Sequence, residues 1–90
     1  MDRRSHIEQK LRESLSALHV EVVDDSHHHS GHAGAAGGAG HFRAVVVSDR
    51  FQGLSRVARQ RLVYAALSEE MGSEIHALSM VALTGDEWRG

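Results

Sequence analysis

Ile7, Leu11, Leu15 and Leu18 recur at steps of four, four and three, with Arg3, Arg4, Glu8, Lys10, Arg12 and Glu13 on the intervening positions. That is the stripe of an amphipathic helix, expected over about residues 5–18. Ser5 followed by Glu8 has the spacing of a capping box at its start. The period then changes. "HVEVV" (His19–Val23) alternates and is β-branched, which predicts a strand, and "HFRAVVVS" (His41–Ser48) predicts a second. "DRFQGLS" turns the chain around Gly53, and Ser55 caps a helix expected to run to about Met71, with Val63, Leu67 and Met71 at successive steps of four. Gly72 suits the end of that helix. "IHALSMVAL" (Ile75–Leu83) is apolar enough for a central strand, and "GDEWRG" reads as a last helical turn.

The order helix, strand, strand, helix, strand predicts an α+β fold. Adjacent strands joined by a loop pair antiparallel most simply, whereas a helix between the second and third strands allows a parallel crossover. The expected architecture is α-β-β-α-β: a three-stranded mixed sheet with helices on one face and a short C-terminal helical turn. Residues 1–90 are expected to form a single domain, with a flexible Gly/Ala/His loop over about residues 25–40.

Composition narrows the function classes. With 41% hydrophobic and 24% charged residues the chain is of globular type. No apolar run approaches the roughly 20 residues that span a bilayer, and "MDRRSHIEQKLRES" lacks the apolar region of a signal peptide, so a cytoplasmic protein with no membrane partner is expected. The net charge of −2 provides no overall basic field, yet Arg43, Arg50, Arg56, Arg59 and Arg61 fall in one stretch. Zero cysteines exclude disulfides, thiol catalysis and any cluster held by the chain's own thiolates. No nucleophile elbow or acid/base pair stands out, so no enzymatic activity is expected.

The candidate chemistry is imidazole. "DDSHHHSGHAGAAGGAGHF" (Asp24–Phe42) holds five of the eight histidines, between two strand-like segments where an affinity tag does not belong. Neutral imidazole is the commonest protein metal ligand. His29 and His32 lie in the loop and His76 starts the third strand, so the loop has to fold back over the strand ends for them to meet. On strict alternation His76 shares a face with Leu78 and Met80, the placement of a half-buried structural histidine. Two imidazoles do not close a structural zinc site, which usually has four ligands. "GAAG" (Gly34–Gly37) and "GGAG" (Gly37–Gly40) have the GxxG form of an RNA-binding loop but lack flanking helices and basic residues. The arginines of "SRVARQR" stand at a helix start, where anions are favoured, although a solvated charged face has the same composition.

"HFRAVVVSDRFQGLSRVARQRLVYAALSEEM" together with "IHALSMVALTGDEW" resembles the BolA family over nearly the whole chain. The resemblance implies a fold like that of a class II KH domain. It also implies a monothiol glutaredoxin as partner, with a [2Fe–2S] cluster bridging the two proteins, in cluster trafficking or iron regulation. The family's ligands on this side are the histidine of "HAL", here His76, and a histidine or cysteine of the loop. Counting forward from "DDS" selects His29 as the second ligand; counting back from "HF" selects His32. The partner's thiolate and glutathione would supply sulfur, giving mixed ligation of the kind that raises potentials in Rieske centres. Alone, the chain is expected to be a monomer with no cluster, and to form a heterodimer with the glutaredoxin. Some family members are described as DNA-binding regulators, which makes Arg50, Arg56, Arg59 and Arg61 the nucleic-acid candidates. The family commonly has Arg-His-Arg where this chain has Arg59–Gln60–Arg61, so that helix lacks an imidazole. A third reading is a Zn²⁺ or Cu²⁺ binder that uses the loop without a partner.

Overall fold

In the computed structural model, which describes residues 2–25 and 40–90, helix α1 spans Arg3–Ser14. It starts two residues before the expected capping box. Asp2 is the N-cap, its carboxylate accepting the Ser5 backbone N–H at 2.8 Å. That bond favours the charged form and lowers the Asp2 pKa. Ser5 is therefore the donor and not the cap, and Glu8 takes Arg4 and Arg12 at 2.9 and 3.0 Å instead. The far end is also shorter than the stripe suggests. Ser16 adopts φ 48°, the chain turns, and Leu18 donates its N–H to the Val47 carbonyl at 2.7 Å. Leu18 thus joins the sheet end, half exposed, and its match to the helical stripe is a coincidence of spacing.

Strands β1 (His19–Asp24), β2 (Gly40–Val47) and β3 (Ile75–Leu83) form a sheet in that order, β1–β2 antiparallel and β2–β3 parallel. A turn of 3-10 helix, Asp49–Phe51, follows β2, and α2 spans Arg56–Ala66 with Ser55 as N-cap, its hydroxyl accepting the Ala58 N–H. Expected to reach Met71, α2 stops five residues short of it. Turns carry the same periodicity onward, with the Met71 N–H on the Leu67 carbonyl and the Glu74 N–H on that of Glu70. Leu67 stays buried even though the helix has ended. Gly72, placed by its pattern at a helix end, instead holds φ 87° inside this connection, a conformation that costs glycine little. Helix α3, Gly85–Arg89, is closed by a Thr84/Glu87 capping box.

Apolar side chains from both main helices and the facing side of the sheet make the core. Ile7, Leu11 and Leu15 from the α1 segment meet Val63 of α2, with Val20, Val22, Phe42, Ala44 and Val46 beneath them. The alternation on β1 and β2 puts the intervening residues, among them His19, His41 and Arg43, on the opposite face. There Trp88 of α3 stacks on His19, with ring centroids 4.8 Å apart and planes 16° from parallel. Among the described residues no helix is long and apolar enough to cross a membrane.

Ser48 joins these layers. Fully buried, its hydroxyl donates to the Leu15 carbonyl at 2.6 Å and accepts the Arg50 N–H at 3.1 Å, tying the end of α1 to the end of β2. Ser48→Ala leaves both groups without that partner. It should lower stability by about 1–3 kcal/mol, seen as a lower urea midpoint at unchanged slope; a midpoint equal to wild type would show that water replaces the hydroxyl.

Candidate functional site

Parallel pairing starts β2 and β3 at the same end of the sheet, and β1 ends there. Gly40 pairs with Ile75, whereas His41 pairs with Ala77. One step on β2 therefore matches two on β3, and His76 is the extra residue of a bulge. Bulges re-aim side chains. Ile75 enters the core at 0% exposure while His76 is exposed, so the strict alternation that groups His76 with Leu78 and Met80 breaks at this position. The half-buried structural histidine is not what the fold contains.

His76 has an imidazole neighbour. The His41 ring centroid lies 5.2 Å from that of His76, with planes 34° apart. The sequence pattern does not single out His41, although "HF" at the start of β2 and "IH" at the start of β3 carry the signal once the two strands are parallel. The backbone holds this end firmly. The Asp25 N–H donates to the His41 carbonyl at 2.7 Å, the Gly40 N–H donates to the Glu74 carbonyl at 2.9 Å, and Arg43 pairs with Asp25. Residues 25 and 40, which flank the histidine-rich segment, are thereby fixed beside the imidazole pair. His29 and His32 lie outside the described residues.

The arginines divide by what holds them. The Arg59 guanidinium is largely enclosed, with its side chain 15% exposed. Its Nε donates to the Leu54 carbonyl and its Nη1 to the Ala82 carbonyl, both at 3.1 Å, and the fork grips Glu87 at 2.6 and 3.3 Å. Arg50 donates to the Ser14 carbonyl at 3.0 Å. Arg56 and Arg61 are exposed, with no hydrogen bond or ion pair among the described residues. Arg56 and Gln60 flank a groove of about 560 Å³ between α2 and β3, whose other wall includes Met80 and Val81.

An α-β-β-α-β chain with a mixed sheet, an imidazole pair at the strand starts, His76 exposed and His41 partly buried, and an arginine-bearing second helix defines a small α+β domain. The chain belongs to the BolA-like protein family, whose model matches residues 11–87. It is 41% identical over 97% of its length to the DNA-binding transcriptional regulator BolA of Escherichia coli, covering 80% of that protein. It is 48% identical over 92% of its length to BolA-like protein 1 of Homo sapiens, of which it spans 58%. The solved structure of BolA1 from Arabidopsis thaliana superposes with a TM-score of 0.82 at 39% identity, covering 97% of this chain and 96% of that one.

Glu87 gives this region a pH dependence. The Arg59 side chain, and next the Thr84 backbone N–H, lower its pKa from 4.5 to about 2. A depressed carboxylate stabilises the fold above its unfolded pKa, and that contribution fades as pH falls. The loss should therefore appear between about pH 4.5 and 2. Glu87→Gln should flatten the decline of thermal midpoint across this window, and an unchanged acid profile would show that Arg59 and Glu87 are not coupled in solution.

Proposed function

We propose that this protein is a non-enzymatic partner of a monothiol glutaredoxin, and that the two co-ligate a bridging [2Fe–2S] cluster through His76 and one imidazole of the histidine-rich loop, His29 or His32. The observation that carries the reading is the pairing of His41 and His76 at 5.2 Å on the ledge where residues 25 and 40 hold the loop's two ends. The donor set agrees with half of such a site. This chain offers imidazole nitrogen and, with no cysteine, no thiolate sulfur, so the remaining ligands fall to the partner's thiolate and glutathione. The cluster would supply one-electron chemistry or an iron signal; this chain's part is to present nitrogen donors on a rigid strand and to accept the partner's surface. His41, on the neighbouring strand, orients the His76 ring or serves as an alternative donor.

The test is reconstitution of the chain with a monothiol glutaredoxin, glutathione, iron and sulfide, followed by visible circular dichroism and the rate of cluster loss. His76→Ala should abolish the mixed-ligand signal and shorten the cluster lifetime by at least about tenfold. His29→Ala or His32→Ala alone should be milder, because neighbouring imidazoles substitute, while the double variant should approach the loss of His76. An unchanged spectrum and lifetime in His76→Ala would overturn the assignment, as would stoichiometric iron and sulfide in the chain purified alone.

A second reading is a DNA-binding regulator, favoured by the unengaged guanidiniums of Arg56 and Arg61 and by the name carried by the Escherichia coli relative. Arg59 and, in part, Arg50 already serve the fold, so they give less to phosphate. Each phosphate contact contributes about −0.9 to the slope of log affinity against log salt. Arg56→Ala with Arg61→Ala should thus make that slope shallower by about 2, measured by fluorescence anisotropy on duplex DNA. An unaltered slope would remove α2 from the contact surface.

A further inference from the structure

Glu70 is a buried carboxylate with one oxygen unaccounted for. Its side chain is 4% exposed, and Oε1 has no hydrogen-bond partner among the described residues. Oε2 is 2.9 Å from His6 Nε2 and accepts from Lys10 Nζ at 3.2 Å, and that ammonium also bonds Glu69 at 2.6 Å. Burial raises the Glu70 pKa, but the hydrogen bonds from His6 and Lys10 outweigh it and the net direction is down. The group is therefore held as an anion, and an anionic oxygen out of water without a partner is costly.

A second carboxylate is close by. The turn after α2 sends the Glu74 N–H to the Glu70 carbonyl at 2.9 Å, which sets the two side chains one turn apart. One donor atom each from His6, Glu70 and Glu74 can be taken within 4.8 Å of the others. The Glu74 side chain is half buried and makes no hydrogen bond or ion pair among the described residues. Charge also favours a cation here. Lys10 bonds Glu69 and Glu70 and leaves Glu74 uncompensated, so with His6 neutral these four charged side chains sum to two negative charges.

We propose that His6, Glu70 and Glu74 form a site for a divalent cation of the zinc class, distinct from the imidazole pair at His76. One nitrogen and two carboxylate oxygens suit Zn²⁺, whose bonds of about 2.0–2.2 Å place tetrahedral ligands about 3.3 Å apart. A rotamer change of Glu74 closes the remaining gap, and Oε1 of Glu70 gains the partner it lacks. Mixed nitrogen and oxygen donors make Ca²⁺ and Mg²⁺, which take oxygen, poorer occupants. The bound ion would clip α1 to the connection between α2 and β3, replacing the direct His6–Glu70 side-chain bond across 64 positions of sequence with a metal bridge between the same two residues.

Histidines elsewhere in the chain also offer imidazole nitrogen to Zn²⁺, so the readout must be specific to His6. The 90-residue chain is titrated with Zn²⁺ while the imidazole nitrogen resonances are followed, with the His6 signal assigned by loss in His6→Gln. The His6 ring should shift to saturation. In Glu74→Gln, a variant that disturbs no side-chain contact of the fold, the His6 response should need at least about tenfold more Zn²⁺ while the other imidazoles respond as before. A His6 ring that stays unmoved when the other imidazoles are saturated overturns the proposal. So does a His6 curve identical in wild type and Glu74→Gln.

Discussion

Parallel strands cannot be joined by a tight turn; the chain must cross the sheet between them. Pairing β2 with β3 in parallel therefore forces the Asp49–Glu74 stretch over one face, and α2 with its following turns is that crossing. Because α1 lies on the same face, Ile7, Leu11 and Leu15 find Val63 and Leu67 above the sheet, and the opposite face is left to His19, His41 and Arg43. The same constraint sets the chemistry. Both parallel strands begin at one end, the antiparallel β1 finishes there, and the two ends of the histidine-rich segment are delivered to the same edge as His76. The bulge at His76 then turns that ring out of the apolar layer. Without it, alternation would spend the imidazole on packing.

Two charged hubs hold the layers in register. At one, Arg59 spans the end of the turn, the last part of β3 and the cap of α3, so that α2 and α3 share a guanidinium. A side chain used in this way is poorly available to a phosphate, which explains why a row of arginines on one helix is not a row of equivalent contacts. At the other, Glu70 gathers His6 and Lys10 from α1. With Glu70 buried and its two partners partly exposed, such a cluster contributes little net stability by itself, because the desolvation of the carboxylate offsets the attraction. The orphaned oxygen of that cluster is the one the proposed cation would take up.

On the proposed glutaredoxin reading, the imidazole pair and the histidine-rich segment are this chain's share of a mixed nitrogen and sulfur donor set. A rigid strand can hold one nitrogen donor to within a fraction of an ångström, and a long segment anchored at residues 25 and 40 can bring others to it. A partner that brings thiolate completes the set. The glutaredoxin reading and the regulator reading use different surfaces, the strand starts and the outer side of α2, and are separable by substitution.

Much of this is readable from local signals. The stripe of Ile7, Leu11 and Leu15, the cap at Ser55, the bounds of β3 and the mixed sheet all follow from periodicity and capping, which act over a few residues and are written directly in their order. His76 is legible as a candidate donor from its residue type and its place at a strand start. Long-range geometry is not. The meeting of His41 with His76 needs the β2–β3 register, the bulge needs a one-residue mismatch between strands far apart in the chain, and the early stop of α1 answers to the sheet that Leu18 must join. Arg59 looks free in the sequence because its partner Glu87 lies 28 positions away, and Glu70 looks like one acid in a polar run until α1 covers it. Local propensity decides which elements form, and only the packing of those elements decides which polar groups lose water and must find one another.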